Sequence, residues 1–102
     1  MVLLDFSMFP LGKGESLSKY VARSLDIIDR SGVPYRCHSM GTTLEGELDD
    51  ALSVVKKCFD VMAADCDRIE CSIKIDYRKN SAGRLDGKVA SVEEKLGRPV
   101  NK

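Results

Sequence analysis

The stretch RIECSIKIDYR, Arg68 to Arg78, constrains the fold of this chain more than any other. Ile69, Cys71, Ile73, Ile75 and Tyr77 alternate strictly with Arg68, Glu70, Ser72, Lys74, Asp76 and Arg78. A period of two belongs to a β-strand, whose successive side chains leave on opposite faces. One face is expected to be buried and the other polar. That pattern suits an antiparallel or half-covered sheet, because strands of doubly covered parallel sheets read as continuous apolar runs.

The rest of the chain supplies the partners of this strand. VLLDFSMFP places Val2, Leu4, Phe6 and Met8 on one strand face and Asp5 and Ser7 on the other, with Pro10 and Gly12 ending it. GKGES is a loop, and Ser16 is a candidate helix cap. Leu17, Tyr20, Val21, Leu25 and Ile28 share one helical face, and Ser31-Gly32 stops that helix. VPYRCH is a second strand. Pro34 has no N–H for a ladder, so the strand begins there or has an open side. TTLEG is a short third strand. Leu48, Leu52, Val55, Phe59 and Met62, with Ala51 and Cys58 alongside, form the stripe of a second helix. Leu85, Val89, Val92 and Leu96 mark a last helix, closed by Gly97 and Pro99. The order strand-helix-strand-strand-helix-strand is the split βαβ arrangement. It predicts a ferredoxin-like α+β sandwich over residues 1–102, a single domain, with a four-stranded antiparallel sheet and an extra C-terminal helix. Right-handed crossovers put both main helices on one sheet side. The other side, carrying Asp5, Ser7, Ser72 and Lys74, is left to solvent, a ligand, the extra helix or a second copy of the chain.

Composition narrows the function. The 102 residues suit one domain, and a domain so small gains from oligomerisation. Lysine plus arginine equals aspartate plus glutamate at 16 each, so no bulk charge draws the chain to nucleic acid or to an anionic membrane. No apolar run approaches the roughly 20 residues of a membrane span, and the start has no basic leader, so a cytoplasmic location with reduced thiols is expected. Cys37, Cys58, Cys66 and Cys71 include no CxxC pair, and His38 is the one histidine, which gives no metal set. Cys37, Cys58 and Cys71 fall in phase with apolar neighbours and are expected to pack as small hydrophobes. Cys66, among aspartates in an expected loop, is the one cysteine to test for reactivity.

The segment HSMGTTLEGELDD, His38 to Asp50, breaks the plain pattern. It is polar and glycine-flanked where a hairpin strand would carry more apolar weight. Read residue by residue, threonines suit a strand, Gly46 suits a strand-to-helix turn, and Asp49 and Asp50 suit a helix N-terminus. The block GTTLEGELDDAL, preceded by a strand-helix pair opening FSMFPLG and closed by RIECSIKIDYR, resembles the small thiamine-binding (YkoF-like) protein family over nearly the whole chain. Thr42, Thr43, Glu45 and Gly46 match the threonine, glutamate and glycine positions of its most specific block. Ser7 matches the serine of its first strand, and Arg78 the basic residue that ends its last.

The resemblance implies a ferredoxin-like fold, homo-oligomers (a dimer or a tetramer), and binding of thiamine or its hydroxymethylpyrimidine precursor. No catalysis of its own and no cofactor are expected of such a binder. An aminopyrimidine needs an acceptor and a donor, which the hydroxyls of Ser7, Ser39, Thr42 and Thr43 supply. Gly41 and Gly46 let a flat ring approach the backbone. Glu45 accepts from the amino group or balances the thiazolium cation, and Tyr35 or Phe9 offers a ring to stack on. Arg78, with Lys74, is a candidate for an anion. Two other classes stay open: a regulatory oligomer sensing another metabolite, and a small phosphate-handling enzyme using the GKGES loop, whose phosphate-loop spacing is incomplete.

Overall fold

A computed structural model describes residues 1–15 and 17–101; the cap expected at Ser16 lies outside the described residues. The elements are β1 (Val2–Pro10), α1 (Ser18–Arg30), β2 (Tyr35–His38), β3 (Gly41–Gly46), α2 (Leu48–Ala63), β4 (Ile69–Tyr77) and α3 (Arg84–Leu96). They form one four-stranded sheet in the order β2-β3-β1-β4, every neighbouring pair antiparallel. This is the ferredoxin-like arrangement with an added C-terminal helix. β2 starts directly after Pro34, as the missing N–H requires, and the Pro34 carbonyl still accepts from Glu45 N–H at 3.0 Å.

The core lies between the sheet and α1 and α2. Val2, Leu4, Phe6 and Met8 of β1 meet Leu44 of β3, Tyr20 and Ile28 of α1, and Ala51, Val54, Val55, Cys58 and Met62 of α2. β1 is central, so its apolar face is covered along its length. β4 is not. Its residues pair with β1 register for register, Ile75 beside Leu4 and Ile73 beside Phe6, yet Ile73 and Ile75 are 46% and 44% exposed and Tyr77 is more so. The expectation that this alternating face is buried therefore fails beyond half-buried Ile69. The reason is reach: α2 packs on β1 and β3, and the outermost strand extends past it. The same shortfall leaves Leu48, Leu52 and Phe59 of the α2 stripe exposed, while Val54, outside the expected stripe, is buried.

The opposite sheet face is partly claimed by α3. Glu45 of β3 is 6% exposed, and its carboxylate accepts from the backbone N–H of Arg84 at 2.7 Å, capping the start of α3. Arg84 also donates to the Asp76 carbonyl at 3.2 Å and pairs with its carboxylate at 2.5 Å. Lys88 joins the same carboxylate, and Arg36 pairs with Asp86. Lys88 and then Arg84 hold the Asp76 carboxyl down at about 2. Leu3, on this face, is buried. No residue of α3 itself is buried, so its Leu85, Val89, Val92, Leu96 stripe finds little cover within the chain.

The thiols divide differently from expectation. Cys58 is buried, and burial pushes it up to about 11. Cys66 is also buried, beside Asp65, and both burial and that carboxylate raise it, which disfavours the thiolate that would react. Cys37 and Cys71 are the exposed pair, because their strands are the two sheet edges.

Candidate functional site

Register decides what the polar segment can build. β3 pairs with β1 only from Gly46↔Val2 to Thr42↔Phe6, and β2 with β3 only from Tyr35↔Leu44 to His38↔Gly41. The hairpin thus stops short, and β1 runs on through Ser7, Met8, Phe9 and Pro10 without a neighbour on that side. α1 crosses above. The gap is a cavity of about 340 Å³, walled by Phe6, Met8, Phe9, Leu17, Val21, Leu25, Ile28 and Met40, with Ser7, Ser24, His38, Ser39 and Thr42 as its polar groups. An apolar chamber with a few polar groups, in this size range, is the usual form of a small-molecule site.

Two residues fix the geometry of its rim. At Gly41 an added Cβ would lie 2.6 Å from the Phe6 carbonyl oxygen, so only glycine lets the turn close against β1. His38 Nε2 lies 2.8 Å from Asp5 Oδ1, and Met40 N–H donates to His38 Nδ1 at 3.3 Å. Nδ1 is therefore the acceptor and Nε2–H the donor to Asp5. Asp5 Oδ1 also accepts from Thr43 Oγ1 at 2.8 Å. The histidine that looked like a plain strand-end residue holds the turn in place across two strands.

Alternation sorts the six sequence-derived candidates. Thr42 faces the helices with its partner Phe6, whereas Thr43, opposite Asp5, faces the other way. Ser7, Ser39 and Thr42 line the cavity. Thr43 is engaged with Asp5, Glu45 caps α3, and Arg78 lines a separate basic hollow with Arg84 and Lys88. Phe9 is at the cavity; Tyr35 is not, and its hydroxyl donates to Asp29 at 2.9 Å. The GKGES loop contributes nothing to the lining. Sequence reasoning missed Met40 and the outer half of the α1 stripe, Val21 and Leu25. An amphipathic stripe wider than the core it must cover was the available signal.

Thr42 stands out among the polar groups. It is 7% exposed, yet its hydroxyl makes no hydrogen bond to any described residue. No fully buried side-chain polar atom lacks a partner among the described residues, so the hydroxyl keeps its access through the cavity it lines. A molecule in the cavity that bonds to it would add a hydrogen bond worth about 0.5 to 1.5 kcal/mol. No group of three or more His, Cys, Asp or Glu among the described residues is placed to hold a metal. No described helix is long and apolar enough to cross a membrane.

Residues 4–93 match the model of a family described as thiamine-binding protein. The chain belongs to that family. Among curated relatives, this member of the thiamine-binding family is 36% identical over 93 residues to a UPF0045 protein of Methanocaldococcus jannaschii, covering 91% of this chain and 93% of the relative. It is 34% identical over 99 residues to a UPF0045 protein of Mycobacterium tuberculosis, covering 96% and 97%. The solved M. jannaschii structure superposes with a TM-score of 0.83 at 35% identity, over 91% of this chain and 96% of that one. A Thermotoga maritima protein, provisionally described as acting in thiamine biosynthesis or salvage, superposes at 0.78 over 89% and 97%; at 22% identity it supports the fold alone. The family is named for binding, not for a reaction.

Proposed function

We propose that this protein binds thiamine or its hydroxymethylpyrimidine precursor reversibly in the cavity beneath the β2–β3 turn. It would act as a carrier or sensor without catalysis of its own, in the cytoplasm and as a homo-oligomer. The observation that carries this reading is a cavity of about 340 Å³ walled by aromatic and methionine side chains, with the unpartnered hydroxyl of Thr42 open to it. The family name supplies the ligand class.

The lining favours one orientation. No carboxylate lines the cavity, so nothing inside neutralises a cation. The uncharged aminopyrimidine ring belongs inside, with Thr42, Ser39 and Ser7 as its polar contacts. Phe6 and Phe9 offer rings beside it, and the edges of β1 beyond Phe6 offer backbone N–H and C=O groups. The thiazolium arm of thiamine then points to the mouth, where Met40 is largely exposed and Asp5 lies behind His38. Glu45 is engaged by the start of α3 and is not counted among these contacts.

Thermal denaturation with thiamine, hydroxymethylpyrimidine, an amino-acid mixture and inorganic phosphate tests this. A ligand that binds only the folded state at 100 times its Kd adds about 2.7 kcal/mol. Stabilisation by either pyrimidine, lost in Thr42→Val and kept in Thr43→Val, is the expected result. Stabilisation by phosphate alone would overturn it.

A further inference from the structure

The β2–β3 hairpin leaves β1 before β1 ends, and the phase of the ladders identifies the backbone groups left over. Glu45 N–H donates to Pro34 O at 3.0 Å, so odd-numbered residues of β3 bond to β2 and even-numbered ones to β1. Leu11 N–H donates to Arg68 O at 2.8 Å, so odd-numbered residues of β1 bond to β4 and even-numbered ones to β3. The two bonds agree on one phase: Val2, Leu4 and Phe6 bond to Gly46, Leu44 and Thr42. The next even residue is Met8. Continuing the register would set it against Met40, but β3 begins at Gly41 and Met40 lies in the turn. Neither Ser39 nor Met40 has a positive φ, and two-residue turns of that kind splay their strands. Met8 N–H and C=O therefore project side by side, in the plane of the sheet, where no strand follows. Neither has a hydrogen-bond partner among the described residues. They face the cavity. Phe6 and Met8 line it from the helix side of β1, and Ser7 and Phe9 from the other, so the hollow straddles the sheet plane at the strand edge. Met8 is only 9% exposed, and backbone groups of buried residues are nearly always paired.

We propose that the backbone of Met8 reads the ligand as the missing strand residue would be read: its N–H donates to a ring nitrogen, and its C=O accepts from the exocyclic amino group beside that nitrogen. This rests on the reading that the cavity holds the pyrimidine of thiamine or of its precursor, and it names what selects that ring. A 4-aminopyrimidine carries its amino group next to an unprotonated ring nitrogen. One edge thus offers a donor and an acceptor side by side, the complement of one residue's C=O and N–H. The substituent at carbon 5, a hydroxymethyl group or the thiazolium arm, lies on the other side of the amino group and leaves this edge free. A 4-oxo ring reverses the pattern. Its oxygen faces the Met8 carbonyl and its ring N–H faces the Met8 N–H, so both contacts set like against like and leave buried groups unpaired. The site therefore selects flat heterocycles with an amino group beside a bare ring nitrogen, and it does so without a charged side chain. The Thr42 hydroxyl, in the wall of the same hollow, stays available for a second polar atom of the ring.

Amide hydrogen exchange followed by NMR on the full chain, free and saturated with hydroxymethylpyrimidine, reads the Met8 N–H directly. In the free protein this amide is expected to exchange faster than those of Ser7 and Phe9, which the β4 ladder holds. The bound ring is expected to slow it about tenfold or more, as one added hydrogen bond would. Calorimetric titration reads the C=O and the ring edge together, by comparing thiamine with oxythiamine, its 4-oxo counterpart of the same size and charge. Oxythiamine is expected to bind about 100-fold more weakly or worse, because a site built to pair polar groups rejects a ring that leaves them unpaired. Equal affinities for the two compounds, or a Met8 amide that exchanges alike with and without the bound pyrimidine, overturns the Met8 contact while leaving pyrimidine binding standing. A protein that neither thiamine nor hydroxymethylpyrimidine stabilises against heat overturns both.

Discussion

β1 and β4 are neighbours with the same sequence pattern and opposite fates. β4 alternates along its whole length and β1 from Leu4 to Met8, and Val2, Leu4, Phe6 and Met8 of β1 sit beside Tyr77, Ile75, Ile73 and Cys71 of β4. Leu4 is fully buried while Ile75, its partner, is 44% exposed. Alternation reports that a strand has two unlike faces. It does not report what covers the apolar one. Coverage within the chain depends on how far α1 and α2 reach, and they reach the two inner strands. The uncovered remainder appears at two places with different shapes. At the β2–β3 turn it is concave and open on one side, suited to a small molecule. Along β4 it is extended, suited to another strand.

The largest test of this contrast is a pair of truncations followed by urea denaturation. Leu4→Ala is expected to cost about 2 to 5 kcal/mol, as for a fully buried leucine. Ile73→Ala is expected to cost under about 1 kcal/mol, because its side chain is half in water. Equal losses would mean that β4 is covered from within, and the contrast would be wrong. Next in size is Gly41→Ala. Its Cβ would press on the Phe6 carbonyl, and overpacking of this kind costs about 1 to 3 kcal/mol. It should also abolish the thiamine-dependent shift, since the turn roofs the cavity.

The two threonines sharpen the concave side. Thr42→Val removes an unpartnered hydroxyl of the cavity wall and is expected to raise the Kd for thiamine about tenfold, the equivalent of about 1.4 kcal/mol. Thr43→Val breaks only the bond to Asp5 and should change Kd less than about threefold. Calorimetric titration separates them. The smallest effect concerns the far end of the sheet. Asp76 is held at about 2, below the ordinary 3.8, by Lys88 and Arg84. Because its carboxyl is depressed in the folded state, its stabilising contribution is fully present above about pH 4 and lost as the pH falls through about 2. Asp76→Asn should flatten hydrogen-exchange protection of α3 across that window and leave the cavity end unchanged.

Much of the fold was legible. Strand periodicity, helix stripes and the stops at Gly32 and Gly97 carried enough local information to order the elements. The ligand wall was legible in part, for a physical reason. Thr42 and Thr43 are adjacent in sequence, so a strand must send them to opposite faces, and the hydroxyl inventory alone gives no phase relative to the cavity. Glu45 reads as a ligand carboxylate until α3 is seen beginning against it, a contact 39 positions away. His38 looked idle because its partners come from another strand and from the backbone of the next turn. The exposed rows of β4 and α2 read as core because alternation and helical stripes describe faces and not what covers them.

The central claim is that the ligand enters beneath the β2–β3 turn. Backbone amide chemical-shift mapping by NMR, with thiamine titrated into the ¹⁵N-labelled protein, tests it most directly. The account predicts perturbations concentrated at Phe6 to Phe9, Val21, and Ser39 to Thr42, with little change at Arg78, Arg84 or Lys88. Perturbations centred on those three basic residues and the start of α3, with the turn silent, would contradict it.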